Sequence, residues 1–131
     1  IKEGLVDWPF IEKRLEGYDE LRTKILALDL DEMEKVCGVN RELAREAAIA
    51  YASAPAAMCF HGLGVTEHYQ GTFGVMLVAD LAMITGNIGR RGVGVNPLRG
   101  QNNVQGAADM GVQPNLGPGY LNMADPVMRS T

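Results

Sequence analysis

Hydrophobic residues recur at helical spacing through the first 54 positions, and residues that favour helix ends separate the runs. Asp7 is suited to cap a first helix that has Pro9 in its first turn and Gly17 as its stop. A second amphipathic run covers residues 18–28. The pattern therefore predicts two short helices at the start of the chain.

Two more helices are predicted before residue 55. Asp29 begins the third, and Gly38 ends it. Asn40 caps the fourth, which covers Arg41–Ser53. The buried face expected for this fourth helix consists of Leu43, Ala44, Ala47, Ala48 and Tyr51.

The pattern changes after Pro55. Residues 56–60 form a short apolar run before a glycine-rich turn, which is typical of a buried parallel strand. Residues 71–85 are apolar almost all round, as in a helix packed between a sheet and another layer, and Gly86 is its expected end. This order predicts an α/β fold, specifically a partial open α/β layer domain with a helix-rich N-terminal part.

Periodicity is lost from Asn87 onward. Residues 86–131 hold nine of the 16 glycines and four of the six prolines. A long irregular stretch is uncommon in a compact domain unless it binds a ligand. We therefore predict an α/β part over residues 1–91 and, over residues 92–131, an irregular Gly- and Asn-rich ligand loop with an extended C-terminal segment.

Charge and length exclude several classes of protein. Twelve Lys and Arg against 16 Asp and Glu give a net charge of −4, which argues against nucleic acid or an anionic membrane as partner. The longest apolar run, residues 73–84, is interrupted by Asp80 and is too short to span a bilayer. The 131 residues suffice for one domain, and because they open at Ile1 and end without a closing element, we expect a piece of a longer protein.

Few side chains of the types that carry chemistry are present. Cys37 and Cys59 form no Cys-x-x-Cys motif or Cys/His cluster, and we interpret them as reduced, buried thiols. His61 and His68 lack further ligands at metal-binding spacing, so we interpret them as surface histidines or as core histidines whose hydrogen bonds are satisfied. The sequence thus predicts no metal site.

Two further features can serve structure or function. Asp80 lies within the apolar helix, and we expect an ion pair with Arg90 or Arg91 rather than a catalytic role. The turn at residues 62–64 follows a predicted strand, where open α/β sheets bind ligands, yet it lacks the third glycine of a dinucleotide-binding motif. An ordinary turn and a binding turn both remain open.

Residues 99–105 contain the densest group of hydrogen-bonding side chains. One guanidinium and four carboxamides stand on a glycine-flanked backbone. Carboxamides can both donate to and accept from a heterocycle, while a guanidinium suits a carboxylate or phosphate. This loop is therefore a candidate binding site.

Five segments, taken in order, resemble the catalytic subunit of molybdenum- or tungsten-dependent formate dehydrogenases, within the molybdopterin oxidoreductase superfamily. They are residues 64–68, 85–89, 94–106, 109–111 and 114–115, and the run Asn-Pro-Leu-Arg-Gly-Gln-Asn-Asn-Val-Gln-Gly is the most specific. The resemblance covers nearly the whole chain but only an internal slice of the longer family chain.

The resemblance implies a cofactor and roles for four residues. It implies a bis-molybdopterin guanine dinucleotide holding Mo or W, and a nearby [4Fe-4S] cluster, in the full-length subunit. Arg99 matches the active-site arginine that faces formate. The positions that match cofactor-contacting residues are Leu63, Glu67 and Gln101.

The resemblance also implies what these 131 residues lack. Neither Cys37 nor Cys59 matches a metal or cluster ligand, so we expect no bound cofactor and no activity from this segment alone. The implied partners are formate, the remainder of the catalytic subunit and electron-transfer subunits, with no nucleic acid and no membrane insertion. A cytoplasmic location is favoured, and a periplasmic one stays open.

The sequence departs from the family's residues at two positions, and two alternatives to the formate dehydrogenase function stay open. Glu67 stands where several relatives carry Gln, which replaces a neutral amide with a carboxylate, and Ala108 stands where many carry Cys, with little expected consequence. Another molybdopterin oxidoreductase, such as a nitrate reductase, is one alternative, although the run at residues 99–103 favours formate. A stand-alone α/β nucleotide-binding or interaction module is the other.

Overall fold

The computed structural model describes residues 1–130 and divides the chain into two compact units, Ile1–Pro97 and a second that begins at Leu98. The first unit is a mixed α/β structure. In chain order its elements are α1 (Trp8–Arg14), α2 (Tyr18–Leu26), α3 (Leu30–Cys37), α4 (Arg41–Ser53), β1 (Met58–His61), α5 (Leu63–Thr66), α6 (Gly71–Ile84) and β2 (Gly94–Pro97). The predicted α/β class is confirmed.

The predicted helix starts are confirmed, because each capping side chain accepts hydrogen bonds from the first turn. Asp7 accepts from the Phe10 N–H at 3.0 Å, and Asp29 and Asn40 cap α3 and α4 in the same way. The first two helices end earlier than predicted, at Arg14 and Leu26. Gly17 does not end α1; it adopts a left-handed conformation just before α2.

The sheet consists of β1 and β2 paired in parallel, with Met58 opposite Gly94 and His61 opposite Pro97. The predicted parallel strand is confirmed, and its partner β2 lies in the stretch for which no element was predicted. The prediction that this strand is buried is wrong for Met58 and Phe60, which are 47% and 58% exposed. Both side chains lie on the same face of the sheet, which is therefore partly open to solvent in the described structure.

Helix α6 ends in a Schellman motif at the predicted Gly86. The Asn87 N–H donates to the Ala82 carbonyl and the Gly86 N–H to the Met83 carbonyl. Gly86 has a φ of +66°, and a Cβ at this position would lie 2.2 Å from an Asp7 carboxylate oxygen. The turn after α6 therefore needs glycine for both its conformation and its contact with the cap of α1.

Asn87 and Arg90 tie the end of α6 to the start of β1. Asn87, only 1% exposed, accepts from the Ala57 N–H and from the Arg90 guanidinium, both at 3.1 Å. Arg90 also donates to the Pro55 carbonyl at 2.7 Å. The predicted pairing of Asp80 with Arg90 or Arg91 is therefore wrong: Arg90 bonds Asn87 and backbone carbonyls, and in the described part Asp80 forms no ion pair.

The predicted burial of the α4 face and of the cysteines is not observed. Leu43, Ala44, Ala47 and Ala48 are exposed, and Tyr51 is half-buried. Cys37 is exposed and Cys59 half-buried; both are free thiols. The α4 face and Cys37 stay exposed because, within residues 1–130, few side chains pack over the apolar faces of α3 and α4, whereas Cys59 lies on β1.

The second unit contains α7 (Val104–Asp109), a 3₁₀ turn (Pro118–Tyr120) and α8 (Pro126–Arg129) within an otherwise irregular stretch. Asn103 caps α7 through its side chain, which accepts from the Gly106 N–H at 3.1 Å. The Tyr120 hydroxyl donates to the Asp109 carboxylate, and this bond raises the pKa of Tyr120. No helix in the described part is long and apolar enough to cross a bilayer.

Candidate functional site

The turn that follows β1 brings two of the predicted site residues together. Gly62 is extended, and α5 then forms a single helical turn in which the Glu67 N–H donates to the Leu63 carbonyl at 2.8 Å. Leu63 and Glu67 are therefore four residues apart on one helical turn, and both side chains are exposed. The structure places these two residues side by side at the carboxyl end of a parallel strand, where open α/β sheets bind ligands.

Short-range contacts fix α5 against the start of α6. The His68 ring Nε2 lies 2.7 Å from the Gly64 carbonyl oxygen, and the Gly71 N–H donates to the His68 carbonyl. A Cβ at Gly71 would lie 2.2 Å from the Thr66 carbonyl oxygen, so only glycine allows this approach. The turn is thus held by its own neighbours while its outer surface stays open.

Two buried polar atoms at this end of the sheet have no protein partner. His61 is the last residue of β1, and its Nδ1 is buried without a hydrogen bond; the same holds for Nδ2 of Asn96, the next-to-last residue of β2. Buried polar atoms in native proteins are nearly always paired. A Cβ at Gly64 would meet no atom within 4 Å, so there is open space beside the turn.

The other two predicted site residues, Arg99 and Gln101, lie in the second unit, in the loop that leads to α7. Both are exposed, and in the described part neither side chain forms a hydrogen bond or an ion pair. By contrast, Arg41 pairs with Asp31 and Arg45 with Glu3. The Arg99 guanidinium is therefore free to bind an anionic ligand.

No metal centre is assembled within the residues that the structure describes. They contain no group of three His, Cys, Asp or Glu side chains close enough to hold an ion. A large apolar groove of about 520 Å³ lies elsewhere in the first unit, among α3, α4, α6 and the N-terminal segment. None of the predicted site residues lines this groove. We therefore do not assign the groove to ligand binding on the basis of its size.

Comparison with known proteins identifies the family of this chain. A family model described as molybdopterin oxidoreductase matches residues 10–124. The chain therefore belongs to the molybdopterin oxidoreductase family.

Within that family, the chain is similar to formate dehydrogenases. It is 49% identical to F420-dependent formate dehydrogenase subunit alpha of Methanocaldococcus jannaschii over 95% of its own length, and 45% identical to formate dehydrogenase H of Escherichia coli over 98%. The "Probable oxidoreductase YjgC" of Bacillus subtilis is 34% identical over 98% of the chain. The chain spans 19%, 18% and 13% of these relatives' lengths.

The family implies a molybdopterin cofactor, and the residues after β1 fit such a group. A pterin is a flat heterocycle with hydrogen-bond donors and acceptors along its edge, which suits the unpartnered Nδ1 of His61. Leu63 and Glu67, on the turn that follows His61, have exposed apolar and polar side chains. Sequence reasoning missed His61 and Asn96 as candidates, although His61 directly follows the predicted strand.

Proposed function

We propose that this chain forms part of the catalytic subunit of a formate dehydrogenase that uses a bis-molybdopterin guanine dinucleotide with Mo or W, together with a [4Fe-4S] cluster. The observation that carries the proposal is the open turn after β1, directly preceded by the buried and unpartnered Nδ1 of His61, in a chain 45–49% identical to formate dehydrogenase subunits. The implied partners are formate, the rest of the subunit and electron-transfer subunits. A cytoplasmic location stays a prediction.

Leu63, Glu67 and Gln101 would hold the pterin part of the cofactor. The Leu63 side chain offers an apolar surface, while Glu67 and Gln101 offer hydrogen-bonding groups to the edge of a heterocycle. A carboxylate at position 67 accepts hydrogen bonds only, so Glu67 would face donor groups of the cofactor. When bound, the cofactor accepts the two electrons released as formate becomes carbon dioxide and a proton.

Arg99 would bind the substrate. Formate is a small carboxylate, and a planar guanidinium can donate two parallel hydrogen bonds to its oxygens. Charge-assisted bonds of this kind contribute about 1.5–3 kcal/mol each. Because the Arg99 side chain has no protein partner in the described part, binding formate would require no existing ion pair to break.

The proposal is tested with purified full-length protein. Its pterin is released, oxidised and quantified by fluorescence, its Mo and W are measured by mass spectrometry, and dye reduction is followed with formate and dye oxidation with nitrate. We expect stoichiometric pterin and metal, with electron transfer from formate and none to nitrate. Pterin with nitrate reduction alone would support the nitrate reductase alternative, and absence of pterin would contradict the proposal.

A further inference from the structure

His61 is a buried titratable residue to which the proposed function assigns no role. Its side chain is 8% exposed, and its Nδ1 is buried with no hydrogen-bond partner among residues 1–130. The other histidine, His68, differs in both respects, since it is exposed and bonds the Gly64 carbonyl. A buried nitrogen without a hydrogen-bond partner is unfavourable unless a group from outside residues 1–130 bonds to it.

The residue opposite His61 on the neighbouring strand offers this nitrogen no N–H. His61 lies opposite Pro97 in the parallel pair, and proline contributes neither a backbone N–H nor a polar side-chain group. Gly62, the next residue along the chain, has no side chain. Among residues 1–130, Nδ1 of His61 therefore has no hydrogen-bond partner.

The location favours a bound ligand as the partner. His61 ends β1 and directly precedes the turn that carries Leu63 and Glu67, and ligands of open α/β folds bind beyond the carboxyl ends of strands. A second unpartnered nitrogen, on Asn96, lies one residue before the end of the adjacent strand. Asn96 pairs in register with Phe60, so its nitrogen and that of His61 lie on opposite faces of the sheet at the same carboxyl end.

We propose that Nδ1 of His61 hydrogen-bonds a polar group of the pterin cofactor and so positions the cofactor against the turn after β1. The proposal rests on the proposed function. A neutral imidazole can donate or accept through Nδ1, depending on its tautomer, and the pterin edge offers groups of both kinds. His61 is a positioning residue in this account and takes no part in the redox step.

The test compares wild-type full-length protein with the variants His61→Phe, His61→Asn and Tyr51→Phe. Phenylalanine fills similar space without a nitrogen, whereas asparagine places a polar atom close to the position of Nδ1. Tyr51 is the matched control because its hydroxyl is also buried and unpartnered but lies on α4. Each protein is assayed for the rate of cofactor release and for its melting temperature with and without cofactor.

For His61→Phe we expect about tenfold faster cofactor release, equivalent to about 1.4 kcal/mol, with no fall in the melting temperature of the cofactor-free protein. His61→Asn should stay within about threefold of wild type, and Tyr51→Phe should release cofactor at the wild-type rate.

Two results would overturn the inference. Wild-type release from His61→Phe would show that the cofactor does not bind Nδ1. An equal fall in melting temperature with and without cofactor would show that Nδ1 bonds another part of the polypeptide. Neither result contradicts the proposed function if the wild-type protein contains pterin. Wild-type protein without pterin would overturn the inference and the proposed function together.

Discussion

At the scale of single residues, the predicted site residues Arg99 and Gln101 offer exposed hydrogen-bonding groups. Arg41 and Arg45 form ion pairs and Arg90 bonds backbone carbonyls, whereas Arg99 and Gln101 are exposed and unbonded in the described part of the chain. The density of amide side chains around Arg99 predicts a binding loop from the sequence alone, and this stays a prediction. The unpartnered nitrogen of His61 could not be predicted from the sequence, because hydrogen-bond satisfaction depends on which groups the fold brings near.

Replacing Arg99 with Lys should lower kcat/KM for formate at least tenfold in the full-length enzyme. Lysine keeps the charge but cannot donate two parallel hydrogen bonds to a carboxylate, and a loss of about 1.4 kcal/mol is already tenfold in rate. Pterin and metal content should stay at the wild-type level. The matched control is Arg91→Lys, another exposed arginine, which should leave kcat/KM unchanged. If Arg99→Lys keeps wild-type turnover, or loses metal in proportion to activity, Arg99 does not bind the substrate.

Replacing Gln101 with Ala should act on the cofactor instead. Its loss would leave a polar edge of the pterin unpaired, at a cost of about 1–3 kcal/mol, so pterin content and activity should fall together. Pterin fluorescence and formate-dependent dye reduction measured on the same sample give the comparison. Retained pterin with reduced activity would instead assign Gln101 to substrate binding.

At the scale of elements, the sequence predicted where helices begin better than which faces they bury. The caps at Asp7, Asp29 and Asn40 are local, because each side chain bonds a backbone group two or three residues away. Burial depends on distant segments, and the apolar faces of α4 and β1 are largely uncovered in the described structure. Strand β2 escaped prediction because its four residues include Asn96 and Pro97, which are uncommon in strands.

Asn87 should be the most sensitive polar position of the first unit. Asn87→Ala removes the acceptor of the buried Ala57 N–H and breaks the link from α6 to β1, which we expect to cost about 2 kcal/mol. The melting temperature of the full-length protein measures the effect. Asn115→Ala is the control, since Asn115 is exposed and lies outside the candidate binding loop, and it should melt like wild type. Equal melting temperatures for the two variants would show that the Asn87 link contributes little.

At the scale of the whole molecule, the described residues leave large apolar side chains in contact with solvent. Phe73, Met76 and Leu77 on α6 are 67%, 55% and 54% exposed, and Leu43 on α4 is 62% exposed. The chain spans less than a fifth of its relatives' length. Such faces are typical of surfaces that pack against other segments.

These 131 residues expressed alone should be inert. In the described part they hold no metal-binding group, and the resemblance places the metal and cluster ligands elsewhere in the longer chain. We expect no formate-dependent dye reduction and no Mo or W by mass spectrometry in purified material. Stoichiometric metal in that material would show that the segment carries a binding site of its own.

The central claim is that the turn after β1 binds the pterin cofactor. Amide hydrogen exchange of the full-length protein, compared with and without cofactor, tests it most directly. We expect residues 61–67 and 99–105 to exchange more slowly when cofactor is bound, while α2 and α3 do not change. Unchanged exchange in residues 61–67, with protection appearing only in other parts of the protein, would contradict the claim.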